Sequence, residues 1–331
     1  MSEGRCTVVR IDTVTKHENA DSLDLIRVWD YPVIVHRGDF APGDLAIYIP
    51  VDSMLPTSDA RFAFLSSKAR ADGLHRLKAV RLRGIFSMGL LIPASLSMTE
   101  GDDVTDALQI TRYEPPSDGF AFNTENEPDG STMLIYTDIE GLRRWPNVLQ
   151  AGENVVITEK LHGANGRFCW HDGRLWVGSH KQIKRRDPRN LWWRIAELYD
   201  MEACLARFPD MAIYGEVFGQ VQDLRYGHNN DRPLSFAVFD VLDIRTRRYL
   251  DYAEFMTFTL QTGIDTVPVL YAGSWEEALR ENAEGPTRLG GGHVREGIVV
   301  RPQVERYHDG LGRVILKQHG EGYLTRKEKK A

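Results

Sequence analysis

Val155-Val156-Ile157-Thr158-Glu159-Lys160-Leu161-His162-Gly163-Ala164-Asn165 reads as a strand that delivers a lysine into a turn. The apolar start suits a buried strand, and the glycine that follows permits a tight change of direction. A lysine amine is a poor nucleophile while it is protonated, with an ordinary pKa of ~10.4. Burial or a neighbouring cation favours the free base and makes the amine reactive. A Lys-x-x-Gly turn standing alone fits a solvated strand end equally well. The ordered series of segments downstream decides the reading.

Ile213-Tyr214-Gly215-Glu216-Val217-Phe218-Gly219 sets a carboxylate in an apolar strand, with glycines that let another group come close. Phe236-Ala237-Val238-Phe239-Asp240-Val241-Leu242 puts an aromatic beside an acid, and Phe239 offers a flat face on which a base can stack. Arg295-Glu296-Gly297-Ile298-Val299-Val300 brings a second glutamate into a strand, and Val314-Ile315-Leu316-Lys317 ends on a second lysine. Each alone has an ordinary structural explanation. Together they describe a machine for a nucleoside triphosphate. Glu216 and Glu296 would hold Mg²⁺ directly or through its waters. Lys317 and the metal would neutralise the α-phosphate. A cation beside Lys160 would favour its free amine. Lys160 would then attack the α-phosphorus and expel pyrophosphate, leaving a lysyl-nucleotide phosphoramidate. No Walker A sequence, His-Glu-x-x-His pair or Gly-x-Ser-x-Gly elbow occurs, and Gly290-Gly291-Gly292 reads as a flexible loop.

The 331 residues leave room for two domains. A net charge of −6 disfavours a uniformly basic nucleic-acid binder. Two local patches still suit phosphates: Lys181, Lys184, Arg185, Arg186 and Arg189, and Arg76, Lys78, Arg81 and Arg83. No apolar run approaches the ~20 residues of a membrane span, and the start of the chain lacks a signal-peptide core. A soluble, cytoplasmic monomer is expected. Cys6, Cys169 and Cys204 form no Cys-x-x-Cys pair and are expected to be free, buried thiols.

Residues 1–112 read as an all-β module. Strands are expected at 6–11, 25–29, 33–36, 45–49, 76–83 and 89–93, with a turn at Asp30-Tyr31-Pro32. An OB-fold barrel fits that length. Residues 113–135 read as a linker, with Pro, Gly, Asp, Glu and Asn concentrated at 114–131. Residues 136–331 form the second domain. Its strands are expected at 155–159, 166–170, 175–177, 212–217, 234–242, 297–301 and 313–317. Helices are expected at 138–149, 189–208, 252–262 and 275–282, the third capped by Asp251. Strands interleaved irregularly with helices indicate an α+β class. Residues 327–330 read as a solvated tail.

The order of these segments resembles the covalent nucleotidyltransferase superfamily of polynucleotide ligases and capping enzymes, whose core is an ATP-grasp-like antiparallel sheet. Motif I is matched by Lys160-Leu161-His162-Gly163, motif III by Tyr214-Gly215-Glu216 and motif IIIa by Phe239-Asp240. Motif IV is matched by Glu296-Gly297-Ile298-Val299-Val300, and motif V by Leu316-Lys317. His162 and Asn165 are similar to the RNA ligase branch. His17-Glu18-Asn19-Ala20-Asp21-Ser22-Leu23, Val51-Asp52-Ser53 and 81–90 resemble the OB domain that precedes the core in one class of RNA ligases. Two positions depart from the pattern. His319 stands where many ligases carry a second motif V lysine, and Ser179-His180-Lys181 matches motif Ia loosely.

The resemblance implies an ATP-dependent RNA ligase using Mg²⁺ or Mn²⁺ on RNA ends, as at a nick in a duplex. Lys160 takes AMP, AMP passes to a 5′-phosphate, and a 3′-hydroxyl displaces it. It further implies that Glu159 reads adenine, Asn165 contacts the phosphate and the 5′-phosphate end, and Phe239 stacks on the base. Glu216 and Glu296 organise ribose and metal waters, Lys317 holds the α-phosphate, and Leu161, His162 and Lys181 complete the nucleotide site. A DNA ligase, a capping guanylyltransferase and a non-catalytic RNA-binding protein are the alternatives. An OB domain ahead of motif I disfavours the capping reading.

Overall fold

Thr7-Val8-Val9-Arg10 forms the first strand of a computed structural model that describes residues 4–113, 125–127, 136 and 138–326. The chain divides into two units. One comprises Met1–Pro115, Glu140–Asn147 and Leu324–Arg326; the other comprises Pro116–Ile139, Val148–Tyr323 and Lys327–Ala331. Most of the expected linker and all of the expected tail lie outside the described residues.

The first unit carries β1 (Thr7–Arg10), β2 (Val14–Lys16), β3 (Leu23–Val28), β4 (Tyr31–His36), β5 (Leu45–Ile49), β6 (Ser53–Pro56), β7 (Leu74–Arg76), β8 (Val80–Leu82), β9 (Ile85–Ser87), β10 (Leu90–Pro93), β11 (Thr111–Arg112) and β12 (Glu140–Gly141). Antiparallel pairing gives the orders β1-β5-β10, β2-β3-β4, β11-β6-β7 and β8-β9. One core gathers Ile26, Val33, Tyr48 and Phe86; a second gathers Val8, Ile47, Leu55 and Phe62. Three expectations need correction. Val28 pairs with Tyr31, so the hairpin turns at Trp29-Asp30 and Pro32 is a strand residue; Trp29 takes φ 52° to allow this. The run 76–83 is broken between β7 and β8. Residues 138–149 form no helix: β12 is followed by turns, and Pro146 removes a donor and disfavours helix at Trp145.

The second unit carries β13 (Asn154–Lys160), β14 (Ala164–His171), β15 (Arg174–Ser179), β16 (Met211–Gly219), β17 (Leu234–Asp243), β18 (Arg248–Tyr249), β19 (Val269–Ser274), β20 (Gly297–Pro302), β21 (Tyr307–His308), β22 (Gly312–Arg313) and β23 (Leu316–His319). One sheet runs β23-β20-β13-β19 and the other β15-β14-β16-β17-β18, all antiparallel. The second sheet packs on α1 (Leu191–Leu198), α2 (Met201–Leu205) and α3 (Tyr252–Thr262) through Phe168, Ile195, Phe236 and Phe258. Asn190 caps α1 by accepting from Trp192 N and Trp193 N. The single helix expected over 189–208 is two, because Asp200 turns left-handed at φ 45°. The expected strand 313–317 is likewise split, and 275–282 is a 3₁₀ helix over Glu277–Ala283. Cys6 and Cys169 are buried free thiols as expected; Cys204 is partly exposed.

Candidate active site

Lys160 ends β13 opposite Gly297, and β14 begins at Ala164, so Leu161-His162-Gly163 crosses from one sheet to the other. Gly163 is required there: a Cβ would collide with the Val217 carbonyl. A cavity of about 240 Å³ opens between the sheets at this crossing. Val156, Thr158 and Lys160, alternate residues of β13, line one wall with Val299, Arg301 and Lys317. Asn165, Glu216 and Phe239 come from the other sheet. Apolar walls with a few converging polar groups are the ordinary make-up of a small-molecule site.

Phe239 reaches the cavity through a bulge. Tyr214 pairs with Asp240 and Gly215 with Val238, which leaves Phe239 as the extra residue on β17. Such a bulge re-aims a side chain. Asp240 is wholly buried and accepts from Tyr136 Oη at 2.8 Å and from Arg313. Arg313 Nη2 also meets Glu305 Oε1 at 2.7 Å, and Glu305 holds Arg301 at 2.6 Å. Tyr136 packs on Phe239 with ring centroids 5.0 Å apart. The aromatic platform is therefore backed by a buried ionic chain.

The charged centre lies behind Lys160. Its Nζ is 2.8 Å from Glu296 Oε1. His162 Nδ1 lies 3.7 Å from Glu296 Oε2, and His319 Nε2 lies 3.5 Å from Oε1. Burial would raise the Glu296 carboxyl, but Lys160 and the two histidines hold it well below the usual range. Burial, reinforced by Glu296, pushes Glu216 up to about 7 against the opposing pull of Lys160 and His162. His162 is fixed by further contacts: Nε2 is 2.8 Å from Asp223 Oδ1, Tyr323 Oη is 3.2 Å from Nδ1, and its backbone N–H donates to Tyr226 Oη at 2.6 Å.

Burial alone would lower His162, but Asp223 and Glu296 overcome it and push the imidazole up to about 9. A histidine raised above its unfolded value of ~6.5 stabilises the fold fully below that value. The contribution disappears as pH rises through about 9. Urea denaturation of chelator-treated protein is expected to show a wild-type advantage over His162→Asn on the order of 3 kcal/mol at pH 6 that shrinks by pH 9.5. A gap that stays constant with pH would remove the imidazolium from the account.

The structure brings most of the expected residues together. Glu159, Lys160, Leu161, Asn165, Glu216, Phe239 and Lys317 line the cavity. His162 and Glu296 do not line it; they stand behind Lys160. The Glu159 carboxylate is engaged elsewhere, accepting from Arg288 N at 2.8 Å, while its buried Oε1 has no hydrogen-bond partner among the described residues. The Lys160 amine pairs with an acid, Glu296. Lys181 is exposed and outside the lining, which His180 joins instead. Lys184 is buried and donates to Asn126 and Gln182, so it is no part of a surface patch. Tyr136, Tyr252, Phe255, Arg301, Asp223, Tyr226 and Tyr323 carry no local signal that would have singled them out.

Among the described residues no helix is long and apolar enough to cross a membrane. An RNA ligase family model matches residues 153–319, and an OB-fold domain model matches residues 5–94. A comparison with curated proteins finds no significant match. Among solved structures, a lysine-to-alanine variant of Naegleria gruberi RNA ligase with ATP and Mn matches at 25% identity and TM-score 0.82, covering 96% of this chain and 98% of that one. The same ligase with PPi matches at 25% identity and TM-score 0.83, covering 97% and 98%. The family match spans half of the sequence and includes every motif from Lys160 to Lys317, and the chain belongs to the RNA ligase family.

Proposed function

We propose that the protein seals RNA 3′-hydroxyl and 5′-phosphate ends at nicks in duplexes, through AMP carried on Lys160. The observation that carries this reading is a lysine at the seam of two sheets, opening on an apolar cavity and backed by a buried carboxylate. Phe239 stacks on adenine, and Lys317 stands on the opposite wall for the α-phosphate. Lys160 attacks the α-phosphorus once its Nζ leaves Glu296 and sheds its proton, because an ammonium has no lone pair to offer. The N–P bond forms as the bond to pyrophosphate breaks. A 5′-phosphate oxygen then displaces Lys160, and a 3′-hydroxyl displaces AMP from the activated end. ATP and Mn in the similar ligase structures support the choice of nucleotide and of a divalent metal.

Glu216 and Glu296 fit such a metal. They are close enough for Glu296 to raise the Glu216 carboxyl. Among the described residues no group of three or more His, Cys, Asp or Glu forms a complete cage. Two acids without a cage suit a hard cation that keeps most of its waters and leans on substrate phosphates. When bound it would supply charge neutralisation at the triphosphate. Residues 1–112 serve as the nucleic-acid-binding OB domain, 113–135 as linker and 136–331 as the adenylyltransferase.

Nicked duplexes with RNA or DNA at each strand position distinguish the readings. Sealing is expected to require RNA on the 3′-hydroxyl side. Sealing confined to all-DNA nicks would make the protein a DNA ligase, and adduct formation with GTP in preference to ATP would point to capping.

A further inference from the structure

Arg301 lines the cavity, yet the adenylylation chemistry gives it no task. It is only 5% exposed, and a guanidinium is rarely buried unless its donors are engaged. Both of its side-chain hydrogen bonds leave from Nη1, to Glu305 Oε1 at 2.6 Å and to the Leu250 carbonyl at 3.3 Å. Among the described residues Nε and Nη2 meet no acceptor. The anchorage fixes the fork. Glu305 also accepts from Arg313 Nη2 and Nε, each at 2.7 Å, and its backbone N–H donates to Asp251 Oδ1 at 2.7 Å. Arg301 Cζ lies 5.6 Å from the Phe255 ring centroid. A donor edge held in this way loses little freedom on meeting a ligand.

Strand register places that edge. On the β13–β20 wall Lys160 pairs with Gly297, Thr158 with Val299 and Val156 with Arg301, and Val299 also pairs with Lys317. Four residues of strand span roughly 13 Å, which sets Arg301 well beyond the rung of the nucleophile. With the α-phosphate at Lys160 and Lys317, the base lies over Val299 and against Phe239. Its six-membered ring, the part farthest from the sugar, then points to Arg301. We infer that Arg301 is a specificity-determining residue, whose Nε–Nη2 edge donates, directly or through one water, to ring nitrogen N1 of adenine. The inference rests on the nucleotide-site reading proposed above. N1 of adenine is an acceptor, whereas N1 of guanine carries a hydrogen and would turn a donor toward a donor. Arg301 thus favours ATP over GTP without touching the reacting atoms.

Calorimetric titration of the wild-type protein, stripped of nucleotide with pyrophosphate, with AMP, 1-deaza-AMP and 7-deaza-AMP tests this. AMP has no pyrophosphate to lose, so binding is read without reaction. Loss of N1 is expected to weaken binding roughly tenfold or more, the usual range for a hydrogen bond from a charged donor. Loss of N7 should leave binding nearly unchanged. Arg301→Met should weaken AMP binding and bring the ratio of AMP to 1-deaza-AMP affinity close to one. A ratio taken within one protein cancels general damage to the fold, and the wild-type comparison decides even where the variant folds poorly. Equal wild-type affinity for AMP and 1-deaza-AMP would overturn the inference, as would a ratio unchanged in Arg301→Met or a failure of AMP to bind at all. Absence of lysyl-AMP after incubation with labelled ATP would instead remove the ligase chemistry, and the AMP ratio would still decide the role of Arg301.

Discussion

Lys160→Ala is expected to leave no protein-bound AMP after incubation with labelled ATP and Mn²⁺, and to lower sealing of a 5′-phosphate nick by roughly 10⁴-fold or more. The size of the effect follows from chemistry. Alanine has no atom to bond to phosphorus, and the other lysine in the lining, Lys317, is assigned to the α-phosphate in the mechanism proposed above. The same variant given a 5′ end already activated with AMP should seal it within about tenfold of wild type, since the final displacement needs orientation and charge but no lysine nucleophile. That split isolates the role. Undiminished labelling of the variant would remove the mechanism. Equal loss on both substrates would make Lys160 a general organiser of the site.

Asp240→Ala is expected to destabilise the second unit by about 3 to 5 kcal/mol, the usual cost of stranding a buried charge. Arg313 would keep Glu305 but lose its wholly buried acid, and Tyr136 Oη would lose its acceptor. For a unit of this size the loss corresponds to a fall in Tm of roughly 10 °C. Asp240→Asn, which can still accept from Tyr136, should cost less. A cycle with Tyr136→Phe should show coupling, because the two side chains share one hydrogen bond. ATP affinity should fall along with stability, since Tyr136 braces the Phe239 ring. A full drop in Tm with unchanged affinity would mean that the platform stands without its support.

The motif residues were legible because each is announced locally. A charged or aromatic side chain interrupts an apolar strand, and beside Glu216 and Glu296 a glycine allows close approach: at Gly215 and Gly297 a Cβ would meet Phe236 and the Gln318 carbonyl. The bulge that delivers Phe239 was not legible, since it depends on the register against β16. Nor were the partners of His162. Asp223 lies 61 residues away and Tyr323 lies 161. Lys181 and His180 differ by one position in a turn where strand alternation has ended, so periodicity could not choose between them. Helix boundaries failed where a single backbone torsion overrode propensity, at Asp200, and where Pro146 forbade the expected pattern.

At Gly163 the chain crosses from one sheet to the other. Because the turn presses against Val217 with no room for even a methyl group, the two walls meet at a fixed gauge beside the nucleophile. Adaptation to a different nucleobase is therefore confined to trimming the furniture, as at Phe239 or Val299, and cannot proceed by prising the frame apart.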